Sequence, residues 1–247
     1  MLYKTTIPAA LLAASLCALA LPGQAQTLTD SAADPAYASG YDGKNGGSGF
    51  GPFQVAVSAS GGGDAGTFLF TAAEGEDNKG TPAPSTIDTK SKSFGFYAHG
   101  SSRGVGNPSV SVTRRFTTPL TRTGDSFSLD FVTGYNDGGT AGVALTTGSG
   151  PVGRFQYQAG GSYYFNGRLA VKGYKPGALH LTYTLTSPTT YTFTSTGAVV
   201  FSGTGKTSGP ITGFLVQQTN ASKGNMAAAT PDHNGYFNNL TLKYGAK

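Results

Sequence analysis

Side chains that switch between apolar and polar at every second residue recur along this chain, and that rhythm commits it to β-structure. Within Asp125 to Thr133, Phe127, Leu129 and Phe131 share one side, while Ser126, Ser128 and Asp130 share the other. Leu181, Tyr183 and Leu185 alternate with Thr182, Thr184 and Thr186. Ser187-Pro188-Thr189-Thr190 then turns the chain, and Tyr191 and Phe193 resume the pattern with Thr192 and Thr194. Successive side chains of a strand point to opposite faces, so each run reads as a half-buried antiparallel strand, and the last two as a hairpin. Runs rich in Val, Phe, Tyr and Thr place further strands at Phe53 to Ser60, Thr67 to Ala72, Ser93 to His99, Ser109 to Thr117, Gly142 to Thr147, Val152 to Gln158, Arg168 to Gly173, Ala198 to Ser202, Ile211 to Gln217 and Gly235 to Tyr244. Beyond the N-terminal segment only Lys223 to Ala229 suits a helical turn. So many strands without interleaved helices predict an all-β sandwich or barrel. No period of about 20 to 50 residues points to a solenoid or propeller.

The first 25 residues read as a secretory signal: Lys4 supplies a positive start, Ile7 to Leu21 is apolar, and Gly23-Gln24-Ala25 offers small residues for cleavage. An apolar stretch of roughly fifteen residues is short for a membrane span, and no membrane insertion is expected. Cys17 raises lipid attachment, but Leu16 before it is not the small residue that such processing prefers. Residues 26–247 are then a single exported domain, secreted or periplasmic, and Cys17 is the only cysteine, so burial rather than disulfides must hold it together. A chain of this size buries about 70% of its unfolded surface, enough for one substantial core. Glycine, at 38 of 247 residues, is about twice as frequent as usual and marks turns between short strands. A net charge of +5 is mild, and Arg114 and Arg115, adjacent in a strand-like run, must face opposite ways. That disposition does not make the continuous basic stripe that nucleic acid requires.

The run Asp34-Pro35-Ala36-Tyr37, then Gly40-Tyr41 and Asn45-Gly46-Gly47-Ser48-Gly49-Phe50-Gly51-Pro52-Phe53, resembles the opening of a group of bacterial exported proteins in which a tryptophan often stands at the position of Tyr41 or Phe53. Arg115-Phe116, Leu120, Gly124, Phe127-Ser128-Leu129-Asp130-Phe131 and Gly235-Tyr236-Phe237-Asn238-Asn239-Leu240 resemble the spacing of concanavalin A-like lectin and glucanase jelly rolls. The resemblance implies two curved antiparallel sheets whose concave face or rim loops take up sugars. Fold alone does not deliver function, so the site must be argued from residues.

Glycoside hydrolysis needs two facing carboxyl groups. The only glutamates, Glu74 and Glu76, lie in one loop-like run, and Asp125 and Asp130 are an odd number of positions apart. No Glu-x-Asp-x-x-Glu run of the kind found in glucanases of this fold occurs. His99, His180 and His233 stand in no recognisable catalytic context, and no Gly-x-Ser-x-Gly elbow precedes a helix. Sugar recognition needs an aromatic face and a few amide or carboxylate partners. Tyr135, Asn136 and Asp137, Tyr163 and Tyr164 with Asn166, and Tyr236 with Asn238 supply these types near turns. Asp137 and Asp232 are the candidate calcium ligands, since hard cations favour oxygen-rich loops. The threonines of Thr182 to Thr186 and Thr192 to Thr196 form a hydroxyl ladder of a kind that suits ice or a crystalline polymer. The reading is therefore a non-catalytic carbohydrate-binding or surface-associating protein whose partner is a glycan or cell-surface polymer. A matrix or adhesion protein that binds protein or its own copies, and a glycan-cleaving hydrolase or lyase, stand as alternatives.

Overall fold

The computed structural model describes residues 25–70, 87–100, 106–221 and 233–246. The proposed signal up to residue 24, the run Glu74 to Asn78, the expected helical turn at Lys223 to Ala229, and Asp232 lie outside the described residues. One sheet holds β1 (Gln26–Asp30), β3 (Asp64–Phe70), β4 (Ser93–His99), β6 (Ser126–Thr133), β11 (Leu179–Ser187), β12 (Thr190–Gly197), β13 (Phe201–Lys206) and β15 (Gly235–Tyr244). The other holds β2 (Phe50–Ser58), β5 (Ser109–Leu120), β7 (Thr140–Thr147), β8 (Gly150–Gln158), β9 (Ser162–Phe165), β10 (Arg168–Lys172) and β14 (Ile211–Thr219). The eight-stranded sheet runs β13-β12-β11-β6-β15-β4-β3 with β1 also on β15, and the seven-stranded sheet runs β10-β9-β8-β7-β14-β5-β2. Every strand pairing within them is antiparallel. The chain changes sheet from β1 through β2 to β3, from β4 through β5 and β6 to β7, from β10 to β11, and again from β13 through β14 to β15. This winding closes two antiparallel layers over one core: of the sandwich or barrel that the alternation predicted it is the sandwich, and it has the jelly-roll form that the resemblance implied.

Ser93–His99 and Gly235–Tyr244 have the bounds expected from sequence, while the strand expected at Ala198 to Ser202 begins at Phe201. There the chain turns a corner: Val199 enters the core and Val200 is 77% exposed. Strand β1 escapes a pattern search because Leu28 is its only apolar residue, and β9 because it has four residues.

The core is aromatic. Tyr41 and Phe53, the two positions picked out by the resemblance, are each 1% exposed, with ring centroids 5.0 Å apart, and both pack edge-on or tilted against Phe94. The segment before β2 is thereby built into the interior, and a polar clamp holds it there. Arg114 is buried on β5 while Arg115 is exposed, in keeping with their expected opposite faces. The Arg114 guanidinium pairs with the buried Asp30 carboxylate, donates to the carbonyls of Gly51 (2.7 Å) and Gly46 (2.8 Å) and to Asn45 Oδ1 (3.0 Å), and lies 4.2 Å over the Phe53 ring. Asp30 also accepts from the Ser31 amide and the Tyr37 hydroxyl. Burial first, and the hydrogen bond to Asp30 second, hold the Tyr37 phenol well above its ordinary pKa.

An aromatic end of the sandwich as candidate functional site

Strands β4, β8 and β14 finish, and β3, β5, β7 and β15 begin, at one end of the sandwich. The connection between β6 and β7 is pinned there by backbone bonds from Gly134 to Asn234 O (2.9 Å) and from Asp137 to Ala221 O (3.2 Å), and Ala221 in turn donates to Ala98 O (2.7 Å). Gln218, fully buried, bridges the sheets by accepting from the Ala98 amide (2.9 Å) and donating to His233 O (2.6 Å). Gly139 closes the loop with φ +52°, and a Cβ there would sit 1.7 Å from Thr219 O, so no other residue fits.

On the outer side of the eight-stranded sheet this end carries a hollow of about 400 Å³. Its apolar wall is Phe68, Phe70, Tyr97 and Tyr236, with Phe68 set edge-on to Tyr236 at 5.7 Å and Phe70 46% exposed. Its polar lining includes Asp64, His99 and Asn234. Burial, followed by the charge and hydrogen bond of Asp64, raises the Tyr97 pKa. From His99, only 4% exposed, the line continues to His233 at 6.1 Å between ring centroids, and the His233 Nδ1 lies 2.7 Å from Tyr135 O. Tyr135, Tyr157 and Tyr174 then form a mutual ring cluster with centroids 5.4 to 6.3 Å apart.

Among the described residues, the buried side-chain atoms without a hydrogen-bond partner are His99 Nε2, Asn136 Nδ2 and Oδ1, Tyr157 Oη and Asn234 Oδ1. All five lie at this end. A buried polar atom left unpaired costs about 1–3 kcal/mol, and folded proteins hold few of them.

The sugar-binding residues expected from sequence divide between this end and elsewhere. Tyr135, Asn136 and Asp137 form the loop just described, with Asn136 fully buried and Asp137 exposed, and Tyr236 forms part of the hollow's wall. Tyr163 points into the core, where its hydroxyl donates to Lys175 O (3.1 Å). Tyr164 stands on the outer face of the seven-stranded sheet opposite Gln156 and Leu169, and Asn166 occupies the β9–β10 turn with φ +49°. Asn238 is wholly interior, accepting from Ala32 N (2.8 Å) and donating to Ile87 O (2.8 Å) and Lys92 O (2.9 Å). Of the expected calcium ligands, Asp137 is at the aromatic end, and Asp232 is outside the described residues. No three His, Cys, Asp or Glu side chains converge among the described residues.

Sequence reasoning passed over Asp64, Phe68, Phe70 and Tyr97, and weighed His99 only as a catalytic base and Asn234 only as a neighbour of Asp232 in a calcium loop. A signal for them exists: β3 and β4 carry large aromatics on both faces, with Leu69, Phe94 and Phe96 inward and Phe68, Phe70 and Tyr97 outward, and a strand apolar on its solvent side asks what covers it.

No family model matches the chain, and no curated protein sequence matches it. Among solved structures it is similar to an alginate lyase of polysaccharide lyase family 7 (TM-score 0.42, 12% identity, covering 72% of this chain and 94% of that one). It is also similar to a legume lectin-like domain from Entamoeba histolytica (TM-score 0.37, 11% identity, 66% and 88%). A third is a family 11 carbohydrate-binding module from Clostridium thermocellum (TM-score 0.33, 10% identity, 89% and 96%). Similarity this distant identifies no ligand and no activity for this chain.

The buried histidine makes stability pH-dependent. Desolvation, reinforced by the charge of His233, lowers the His99 pKa, against opposing contributions from Asn234 and Asp64. Below about pH 6.5 the unfolded chain binds a proton at this position that the folded chain resists, so stability is full above that pH and declines as the pH falls through it toward the lowered value. The urea midpoint is expected to drop between about pH 7.5 and about pH 5. In His99→Gln the drop should be smaller, and an unchanged drop would remove His99 from the explanation.

Proposed function

We propose that this chain is a non-catalytic carbohydrate-binding protein that acts outside the cytoplasm and takes a hydroxyl-rich ligand at the aromatic end of its sandwich. The observation that carries the reading is the hollow walled by Phe68, Phe70, Tyr97 and Tyr236, with Asp64, His99 and Asn234 in its polar lining. A sugar ring presents an apolar C–H face that stacks on an aromatic side chain and an edge of hydroxyls that both donate and accept. It answers both halves of the surface with one molecule. Phe70 supplies the exposed platform, and Asp64, the His99 imidazole and the Asn234 amide supply the polar edge.

A glycan-array screen of the purified chain tests the reading. The wild-type chain should bind at least one glycan class. Phe70→Ala should weaken that binding about tenfold, a loss of about 1.4 kcal/mol, while leaving the melting temperature within a few degrees because Phe70 is partly exposed. A silent array, or full binding by Phe70→Ala, would remove the proposed site.

A further inference from the structure

Two of the rings that wall the hollow lie flat on the sheet, and the register of β3 on β4 makes them do so. It sets Phe68 opposite Gly95 and Tyr97 opposite Gly66. A Cβ added at Gly95 would meet three atoms of the Phe68 ring at 2.4 to 2.8 Å, and one added at Gly66 would meet the Tyr97 phenol at 2.8 to 3.1 Å. Each ring therefore lies across the glycine opposite it and covers the backbone left bare there. One face rests on the strand, and the other is turned outward. The Phe68 centroid is 6.0 Å from Tyr97, 5.7 Å from Tyr236 and 6.3 Å from Phe70, so the four rings make one continuous surface.

The face of an aromatic ring is the negative side of its quadrupole, and a cation placed over that face is attracted to it. The charge in the lining has the same sign. Among the described residues that line the hollow, Asp64 is acidic and none is Lys or Arg. The Tyr97 hydroxyl donates to the Asp64 carboxylate, which ties that charge to the edge of the ring surface. His99 adds no positive charge at neutral pH, because desolvation, with the charge of His233 behind it, lowers its pKa. The chain carries a formal charge of +5, so a hollow whose ring faces and carboxylate are all negative is not a consequence of overall composition.

These signs sort the glycans that could enter. A uronic acid or a sulfated sugar would bring its charge against Asp64 and the ring faces with no cation in the described lining to meet it. A neutral sugar would stack, but it would leave the carboxylate without a counter-charge. A sugar with a free ammonium uses both: the charged group pairs with Asp64 while the adjoining C–H surface lies on the rings.

We infer that the aromatic hollow selects a positively charged amino sugar, its ammonium held between the Asp64 carboxylate and the ring faces of Phe68 and Tyr97, with Phe70 as the exposed platform beside them. The inference rests on the proposal that this hollow binds a glycan, and it adds which charge that glycan carries.

The test compares tetrasaccharides of glucosamine and of N-acetylglucosamine, which differ only in carrying an ammonium or an acetamide on each ring. Both are titrated calorimetrically into the purified chain at mildly acidic pH, where the sugar amine is protonated. The glucosamine tetramer should bind about tenfold more tightly or better. Added salt should narrow that preference, since Asp64 is exposed and its pairing is screened. Asp64→Asn should remove most of the preference and leave the melting temperature unchanged. Equal affinity for the two tetramers, or tighter binding of the acetylated one, would overturn the inference and leave a glycan site in place. A preference that survives Asp64→Asn intact would also overturn it, by putting the ammonium elsewhere. Choline chloride covers the other source of an ammonium group. Choline that binds where the glucosamine tetramer does not would replace the sugar by a choline-type headgroup and overturn the inference. Choline that only competes weakly with bound tetramer would support it. Failure of both tetramers to bind would overturn the inference alone if the glycan array is active, and the glycan reading with it if the array is silent.

Discussion

Replacing Arg114 with methionine is expected to lower stability by about 3–5 kcal/mol, enough to move a melting temperature by roughly 10 °C in a chain of this size. Methionine keeps much of the volume over Phe50 and Phe53 but strands the Asp30 carboxylate, which has no exposed surface through which water could solvate it. It also leaves Gly46 O and Gly51 O without the donors they now have. Asp30→Leu should cost a comparable amount, because the guanidinium then sits buried without its counter-charge. The double variant should be less destabilised than the sum of the two by about 3 kcal/mol, since no lone charge remains. It should not return to wild type, because the glycine carbonyls and Asn45 still lack their partner. Urea titrations of the four proteins supply the cycle, and additive losses would show that Asp30 and Arg114 are not coupled.

The clamp also shows what the chain reveals before it is folded and what it hides. Alternation in Phe127 to Phe131 and Leu181 to Phe193 is a local property, and it placed those strands and their inward faces correctly because a half-buried strand obeys the same period wherever it lies. Arg114 could be assigned a face opposite to Arg115 by the same rule, but not its partner: Asp30 is 84 positions away, and no local pattern says which carboxylate will meet it. The candidate site fails to be legible for the same reason. His99, Tyr157, Asn136 and Asn234 come from four separate crossings of the sandwich, and each looks like an ordinary strand or loop residue in its own neighbourhood. Tyr163 and Asn238 looked available because both stand near turn residues. In the structure each is drawn inward by long-range carbonyl partners. The threonine ladder of β11 and β12 is the opposite case, since one hairpin holds all of it and local alternation was enough to reveal it: the register sets Thr182 opposite Thr194 and Thr184 opposite Thr192.

Asn238→Leu should be the most damaging single change outside the clamp, at about 3 kcal/mol or more. The Asn238 amide is fully buried at an irregularity of β15 beside Asn239, whose φ is +51°, and it ties two distant pieces of backbone, Ala32 and the turn from Ile87 to Lys92, to β15. Its oxygen takes the Ala32 amide, and its nitrogen donates to Ile87 O and Lys92 O, so leucine leaves the Ala32 amide unpaired at roughly 1–3 kcal/mol and removes one of the two donors at each carbonyl, which keep Asn239 Nδ2 and Thr89 N. Asn238→Asp separates the two halves of that role. The introduced carboxylate still accepts from Ala32 but faces two carbonyl oxygens where the amide nitrogen stood, and only its protonated form can donate to either. Its folded pKa is therefore raised above the unfolded value of about 3.9, and stability is lost as the pH rises from there through the folded value. The variant is expected to be much weaker than wild type at neutral pH and to regain stability on acidification, relative to wild type at the same pH. Denaturant midpoints for the two proteins across that range measure the difference, and a gap that does not narrow toward acid would mean that the Asn238 nitrogen holds neither carbonyl.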